Sequence, residues 1–206
     1  MIKGTPELIA GRREEIMNAC EALYERKRFM EITLKDIGNE VPFSRPTIYN
    51  YFQTKEEIFL ALFEREYTLW ADDLKTLTAE AKGLSRTALA ERIADTLQKR
   101  KLLLKLLSVN LYDMEENSRR ERLVSFKRTF KAAREALTAL LRRAYPDIRD
   151  EELQSFLYVF LPYMHGIYPY AFATEKQKAA MDEVGIEHPE VTIRELVKAG
   201  LLRMLP

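Results

Sequence analysis

The chain has 206 residues, with 33 Lys and Arg against 32 Asp and Glu and a formal net charge of +1. Total charge therefore argues neither for nor against a nucleic-acid partner, and any electrostatic footprint has to come from local placement. Cys20 is the one cysteine, which excludes an intrachain disulfide and fits a reducing cytoplasm, and the opening MIKGTPELIAGRREE lacks the apolar run of a secretory signal.

Helical signals dominate from the start. Ile9, Arg13, Ile16, Cys20 and Leu23 fall near helical spacing and predict a first helix over 10–28. Thr33-Leu-Lys-Asp36 reads as a helix start, with short helices expected over 34–41 and 45–52. Capping boxes at Thr54–Glu57, Ser118–Glu121, Thr174–Gln177 and Thr192–Glu195 mark further starts. They predict longer helices from Lys55 onward and over 86–108, 119–144, 150–172, 175–183 and 192–205. Alternation of the strand type, bounded by Asn-Gly or Asp-Gly turns, is not seen. The expected fold class is all-α: three short helices over 1–54, then a larger region of longer helices over 55–206. No Gly- or Ser-rich linker separates them, so the helix from Lys55 is expected to join the two rigidly.

The segment Ser44–Glu57, SRPTIYNYFQTKEE, carries more aromatic material than a short surface helix needs for packing. At 100° per residue, Ile48 and Phe52 fall on one side, towards Leu23, Leu34 and Ile37. Pro46, Thr47 and Asn50 fall on the other, with Tyr49 and Tyr51 on the two flanks and Arg45 in the first turn. Ser44 suits the N-cap, and Pro46 is tolerated where no intrahelical N–H partner is required. The result is a polar ridge with a phenol on each shoulder, as a helix entering the DNA major groove requires. Lys55 adds a cation at a helix start, suited to a phosphate, and Thr33 with Lys35 repeats that pair. The bland alternative is that both tyrosines simply pack against the domain.

The stretch TLKDIGNEVPFSRPTIYNYFQTKEEIFLAL, Thr33 to Leu62, resembles the DNA-binding domain of TetR-family transcriptional regulators. The likeness covers about 10–65 closely and the remainder only in architecture. It implies an all-helical homodimer, with a helix-turn-helix DNA-binding domain over 1–54 and a larger helical ligand-binding and dimerisation domain over 55–206, that binds a small-molecule effector and contacts a pseudo-palindromic double-stranded operator. By position it implies that Arg45, Pro46, Thr47 and Asn50 lie towards base edges, and that Thr33, Ser44, Tyr49, Tyr51 and Lys55 contact phosphate. Lys35 is compatible with either. The family commonly has a glycine in the turn where this chain has Pro42, so the turn is expected to be built differently.

In the larger domain, Ser155–Thr174 has no Asp, Glu, Lys or Arg and is long enough to span a bilayer, roughly 20 residues. Its four tyrosines, two prolines, His165 and Gly166, without a flanking basic cluster, favour a buried helix. The last helix carries a stripe of Ile193, Leu196, Val197, Gly200, Leu201 and Met204. With the uncharged helix it suits half of a four-helix dimer interface, or else both helices pack within their own subunit. Pro162 removes the bond to the Tyr158 carbonyl, which either frees polar groups for a ligand near Tyr163 and His165 or bends the helix around its partner. Tyr112, Phe126, Phe130 and Tyr158 are candidate effector-pocket walls, with core filler the plainer reading. Asp113, Glu115 and Glu116 read as a solvated acidic turn. HGIYPYAFATEKQKAAM resembles a C-terminal motif of some TetR-family members.

His165 and His188 lie far apart in sequence and show no metal-ligand spacing, and no phosphate loop or nucleophile elbow appears. No cofactor, metal or catalysis is expected. The expected function is a cytoplasmic, ligand-responsive DNA-binding regulator, acting as a repressor. The alternative is a helical small-molecule-binding protein whose helix-turn-helix no longer reads DNA, with a helical enzyme third.

Overall fold

The computed structural model describes residues 5–109 and 111–206, so the first four residues of the opening segment lie outside it. Among the described residues the chain forms helices and turns and no strand. In chain order the helices are α1 (Pro6–Arg26), a 3-10 turn at Phe29–Glu31, α2 (Leu34–Asn39), α3 (Arg45–Tyr49), α4 (Lys55–Glu80), α5 (Arg86–Gln98) and α6 (Lys101–Leu107). After these come α7 (Leu111–Glu116), α8 (Arg120–Ala144), α9 (Asp150–Ala171), α10 (Glu175–Val184) and α11 (Ile193–Met204).

Most helix starts obey their side chains. The hydroxyls of Thr33, Thr174 and Thr192 each accept a hydrogen bond from the N–H three residues on, while Asp36, Gln177 and Glu195 reach back to the cap N–H. Thr5 and Ser85 cap α1 and α5 in the same way, and α1 therefore begins earlier than its apolar spacing indicates. Two starts differ. The Ser118 hydroxyl donates to the Met114 carbonyl and closes the end of α7. The expected single helix over 86–108 is two, because at Arg100 (φ −106°, ψ 43°) the backbone leaves the helical region and the guanidinium pairs with Asp73 at 2.8 Å. No proline or glycine announces that break.

The chain divides into two compact units, one of residues up to Arg65 with Val109–Thr129 and the other of Glu66–Ser108 with Phe130–Pro206. In the first, Ile16, Cys20, Leu23 and Tyr24 of α1 are buried with Ile37, Ile48, Phe52, Phe59 and Phe63. Phe59 receives Tyr24 and Phe29 edge-on, at centroid distances of 5.1 and 4.8 Å. Polar ties join α1 to α4: Arg13 pairs with Glu64 at 3.1 Å, and Arg65 bonds Glu14, Asn18 and Glu21. Burial pushes the Cys20 thiol well above its usual range, so Cys20 is inert core.

In the second unit α11 packs against α5 and α9, and α6 against α9. Arg194 and Lys198 of α11 bond Asp95 and Glu91 of α5, each at 2.6 Å. Trp70, fully buried, donates its indole N–H to Thr96 at 3.1 Å. Ile193, Val197, Gly200 and Leu201 are buried here within the chain's own unit, so most of the α11 stripe is covered by α5 and α9. The uncharged surface left open is the outer side of α9, where Ser155, Tyr158, Val159, Pro162, Gly166 and Tyr170 are exposed or partly exposed. Their spacing of three, four and seven residues places them along one helix face. Pro162 and Pro169 both lie inside α9, which continues through them to Ala171. No helix among the described residues is long and apolar enough to cross a membrane.

Candidate nucleic-acid interface

The turn between α2 and α3 shows how Pro42 is accommodated. Glu40 closes α2 at φ −96°, ψ −4°, and among the described residues only Gly83 and Gly185 have positive φ. Val41, Pro42 and Phe43 are therefore bends of negative φ, which proline can adopt, and no glycine is needed. The two helices approach closely at Gly38, where a Cβ would lie 3.5 Å from Arg45 Cγ and from Ile48 Cδ1. Ile37 and Ile48 seal the joint at 0% exposure.

This packing turns one side of α3 outward. Ser44, Arg45, Pro46, Tyr49 and Asn50 are exposed and Thr47 is half-buried, so the polar ridge is present as one surface. Tyr49 keeps 51% of its surface and holds one shoulder. The Ser44 hydroxyl lies 3.0 Å from that of Thr47 instead of capping a backbone N–H. At the start of α2, Thr33 and Lys35 are exposed, though the Thr33 hydroxyl is engaged with Asp36 at 2.6 Å.

Two residues differ from expectation. Tyr51 is 2% exposed and its enclosed hydroxyl has no partner among the described residues, so it offers no donor on the second shoulder. The physical reason is that α3 stops at Tyr49. Asn50 and Tyr51 donate to the carbonyls three residues back, at 3.2 and 2.8 Å, and this tightening rotates Tyr51 and Phe52 together into the core. Lys55 is likewise turned inward. Its ammonium donates to the Phe29 and Ile32 carbonyls, both at 2.9 Å, and lies 4.4 Å from the Phe29 ring centroid. It ties the 3-10 turn to α4.

The electrostatics single out a few cations. Arg26, Lys27 and Arg28 pair with Glu40, Asp36 and Glu31. Lys35 and Arg45 form no ion pair among the described residues and remain available for phosphate or base edges. Arg12 lies over the Phe43 ring at 5.8 Å.

Behind α3, Glu57 is buried with a fully covered side chain and receives Arg119 Nε and Nη2 at 2.6 and 2.8 Å. It also accepts the N–H of Gln53 at 2.9 Å and of Arg119 at 3.2 Å. Burial works against the carboxylate, but these donors outweigh it and hold Glu57 below the usual range. Arg122 donates to the Tyr51 carbonyl at 2.8 Å. Neither arginine is visible as a site residue in the sequence, because each lies more than sixty positions from its partner.

The candidate effector residues divide between the two units, Tyr112 and Phe126 in the first and the others in the second. Tyr112 and Tyr158 are 72% and 76% exposed, and Pro162 shares the outer face of α9 with Tyr158. Phe126 is buried with its ring 5.5 Å from that of Phe63, and Phe130 meets Tyr67 edge-on at 5.5 Å. Tyr163 donates to the Leu196 carbonyl at 2.8 Å. His165 sits by the Leu107 backbone, and burial lowers its imidazole below the ordinary value. Asp113 and Glu116 are exposed, and Glu115 pairs with Lys127 at 2.5 Å.

Known proteins share this arrangement. The sequence pattern of "Bacterial regulatory proteins, tetR family" matches residues 16–62, and that of "Tetracyclin repressor-like, C-terminal domain" matches 64–205. Over 62 residues the chain is 39% identical to YfiR, an uncharacterized HTH-type transcriptional regulator of Bacillus subtilis, covering 30% of each protein. Over 53 residues it is 38% identical to the HTH-type transcriptional regulator EthR of Mycolicibacterium smegmatis, covering 26% of this chain and 24% of that one. The chain thus matches less than a third of the length of these curated relatives. Among solved structures, a protein assigned to the TetR family from Mesorhizobium loti aligns over 98% of both chains, with a TM-score of 0.63 at 15% identity. PfmR from Thermus thermophilus aligns over 93% of this chain and 96% of its own, at 0.54 and 14%. At those identities the likeness is one of fold. With both sequence patterns in place, the chain belongs to the TetR family, whose members are non-enzymatic DNA-binding transcriptional regulators.

Proposed function

We propose that the protein is a cytoplasmic, ligand-responsive repressor that binds a pseudo-palindromic operator as a homodimer and is released by a small-molecule effector. The observation that supports this best is the exposed ridge of Arg45, Pro46, Thr47 and Asn50, with Tyr49 on its shoulder and Lys35 exposed in the first turn of α2. In this reading residues 1–54 are the reading head and 55–206 the effector and dimerisation domain. Arg45, Thr47 and Asn50 reach base edges with Pro46 against them, and Ser44, Thr33 and Tyr49 contact phosphate. Lys55 and Tyr51 act from behind, by holding the backbone.

Two heads on one operator sit about one turn of DNA apart, roughly 34–36 Å. The outer face of α9 supports the dimer, since an uncharged exposed face on a soluble helix calls for a partner. There Tyr158 and Pro162 serve the subunit interface in preference to an effector. In the second unit Phe130, against the buried Tyr67 ring, is the better candidate for an effector wall. An effector lowers operator affinity only to the extent that it binds the released state more tightly. Sedimentation at micromolar concentration is expected to give twice the chain mass, and Tyr158→Glu is expected to shift it towards the chain mass. A wild-type monomer at that concentration would remove the dimer from this reading.

A further inference from the structure

The recognition helix α3 has five residues, too few to fix its own pose, and its last turn is already tightened at Asn50 and Tyr51. The connecting residues 50–54, with the first turn of α4, set the angle at which it leaves the body of the domain. That joint is held by a segment about sixty residues further on, Asn117–Arg122 at the start of α8, in the same compact unit.

Three ties converge there. The covered Glu57 carboxylate takes both arms of the Arg119 fork, and its two remaining acceptor sites take the N–H groups of Gln53 and Arg119. Arg122 donates to the Tyr51 carbonyl, one of the orphan acceptors beyond the end of α3, and lies over the Phe52 ring at 5.5 Å. The Thr54 hydroxyl donates to the Asn117 carbonyl at 3.1 Å while accepting the Glu57 N–H at 3.3 Å. Two of these ties act on backbone atoms between α3 and α4, the Tyr51 carbonyl and the Gln53 N–H. Generic packing would need neither.

We propose that Arg119 and Arg122 are positioning residues for operator reading: they touch no DNA, and they fix the pose in which α3 presents Arg45, Thr47 and Asn50. The proposal rests on the reading of α3 as the DNA-contacting helix. A buried carboxylate makes this arrangement all-or-none, because Glu57 cannot remain covered once Arg119 withdraws. Displacing the 117–122 segment therefore frees the exit of α3 as a unit, leaving Lys35, Arg45 and the other surface cations where they are.

The test separates positioning from stability. Glu57→Met with Arg119→Leu removes the buried charge and its partner together, at the cost of the acceptor for the Gln53 and Arg119 N–H groups, and leaves the protein folded. Affinity is measured by fluorescence anisotropy on an operator selected from genomic DNA by the wild-type protein, and on scrambled DNA of equal length. The double variant is expected to unfold cooperatively near the wild-type melting temperature, to bind the operator at least about 10-fold more weakly and to bind scrambled DNA unchanged. Arg122→Leu keeps apolar cover over Phe52, loses the donor to Tyr51 and is expected to show the same split. Full operator affinity in either folded variant overturns the proposal, as does an equal loss on both DNAs. Arg45→Ala with Asn50→Ala is run alongside. If that protein binds the operator like wild type, the reading of α3 has failed, and the proposal goes with it for a separately visible reason.

Discussion

Arg45→Ala combined with Asn50→Ala is expected to weaken operator binding by about 100-fold or more, because each base-edge contact contributes about 1–3 kcal/mol and each operator holds two copies. Both side chains are exposed, so the fold should hold, with a change in stability within about 0.5 kcal/mol. The loss should be larger on the operator, which loses the base-edge contacts as well as the Arg45 charge, than on scrambled DNA, which loses the charge alone. Tyr49→Phe makes the useful contrast. It removes one hydroxyl from the shoulder and should weaken both DNAs alike. Anisotropy titrations at fixed salt check both variants, and an operator affinity unchanged in the double variant would place the reading surface elsewhere.

Gly200→Ala is expected to destabilise the larger unit, although alanine is the better helix former. A Cβ at Gly200 would lie 2.6 Å from Tyr163 Cε1 and Cζ and 2.8 Å from its hydroxyl. The ring can withdraw only by giving up its bond to the Leu196 carbonyl, where α9 meets α11. Helix propensity returns about 1 kcal/mol, overpacking costs about 1–3 and the lost hydrogen bond about 1 more, leaving a net loss of about 2 kcal/mol. For a chain of this length that is a fall in Tm of about 5 °C. Gly11→Ala in α1 supplies the opposite sign, since nothing lies within 4 Å of its Cβ position and propensity acts alone. Thermal melts of the two variants decide it. A rise in Tm for Gly200→Ala would mean that Tyr163 moves aside without cost.

The helix starts were legible because a cap is a local device. Thr33, Thr174 and Thr192 and their acidic or amide partners lie three residues apart, and they bond as their spacing indicates. The polar side of α3 was legible for the same reason. Tyr51 was not, because a helical wheel assumes 100° per residue through a stretch that the backbone tightens after Tyr49. Lys55 was half legible. A lysine at a helix start suggests a phosphate, and only the fold reveals that the Phe29 and Ile32 carbonyls reach it first. The α5–α6 break and the arginines behind α3 depend on tertiary partners and leave no local mark, whereas the Ser118 hydroxyl is taken by a carbonyl four residues back, at the end of α7. The candidate effector residues were less legible, because aromatic spacing identifies helix faces, and a face becomes a pocket wall only through what lies opposite.

That α3 reads DNA in a dimer through a small set of free cations is tested most directly by the salt dependence of operator binding. Among the described residues of the head, Arg13, Arg26, Lys27, Arg28 and Lys55 are already engaged and Arg12 lies over the Phe43 ring, which leaves Lys35 and Arg45 in each head. Two heads therefore release about four counterions, and log Kobs should fall with log salt at a slope of about −3.6. Lys35→Ala should bring the slope to about −1.8 by removing one contact per head. A slope near zero for the wild-type protein, or one that Lys35→Ala leaves unchanged, would contradict the account.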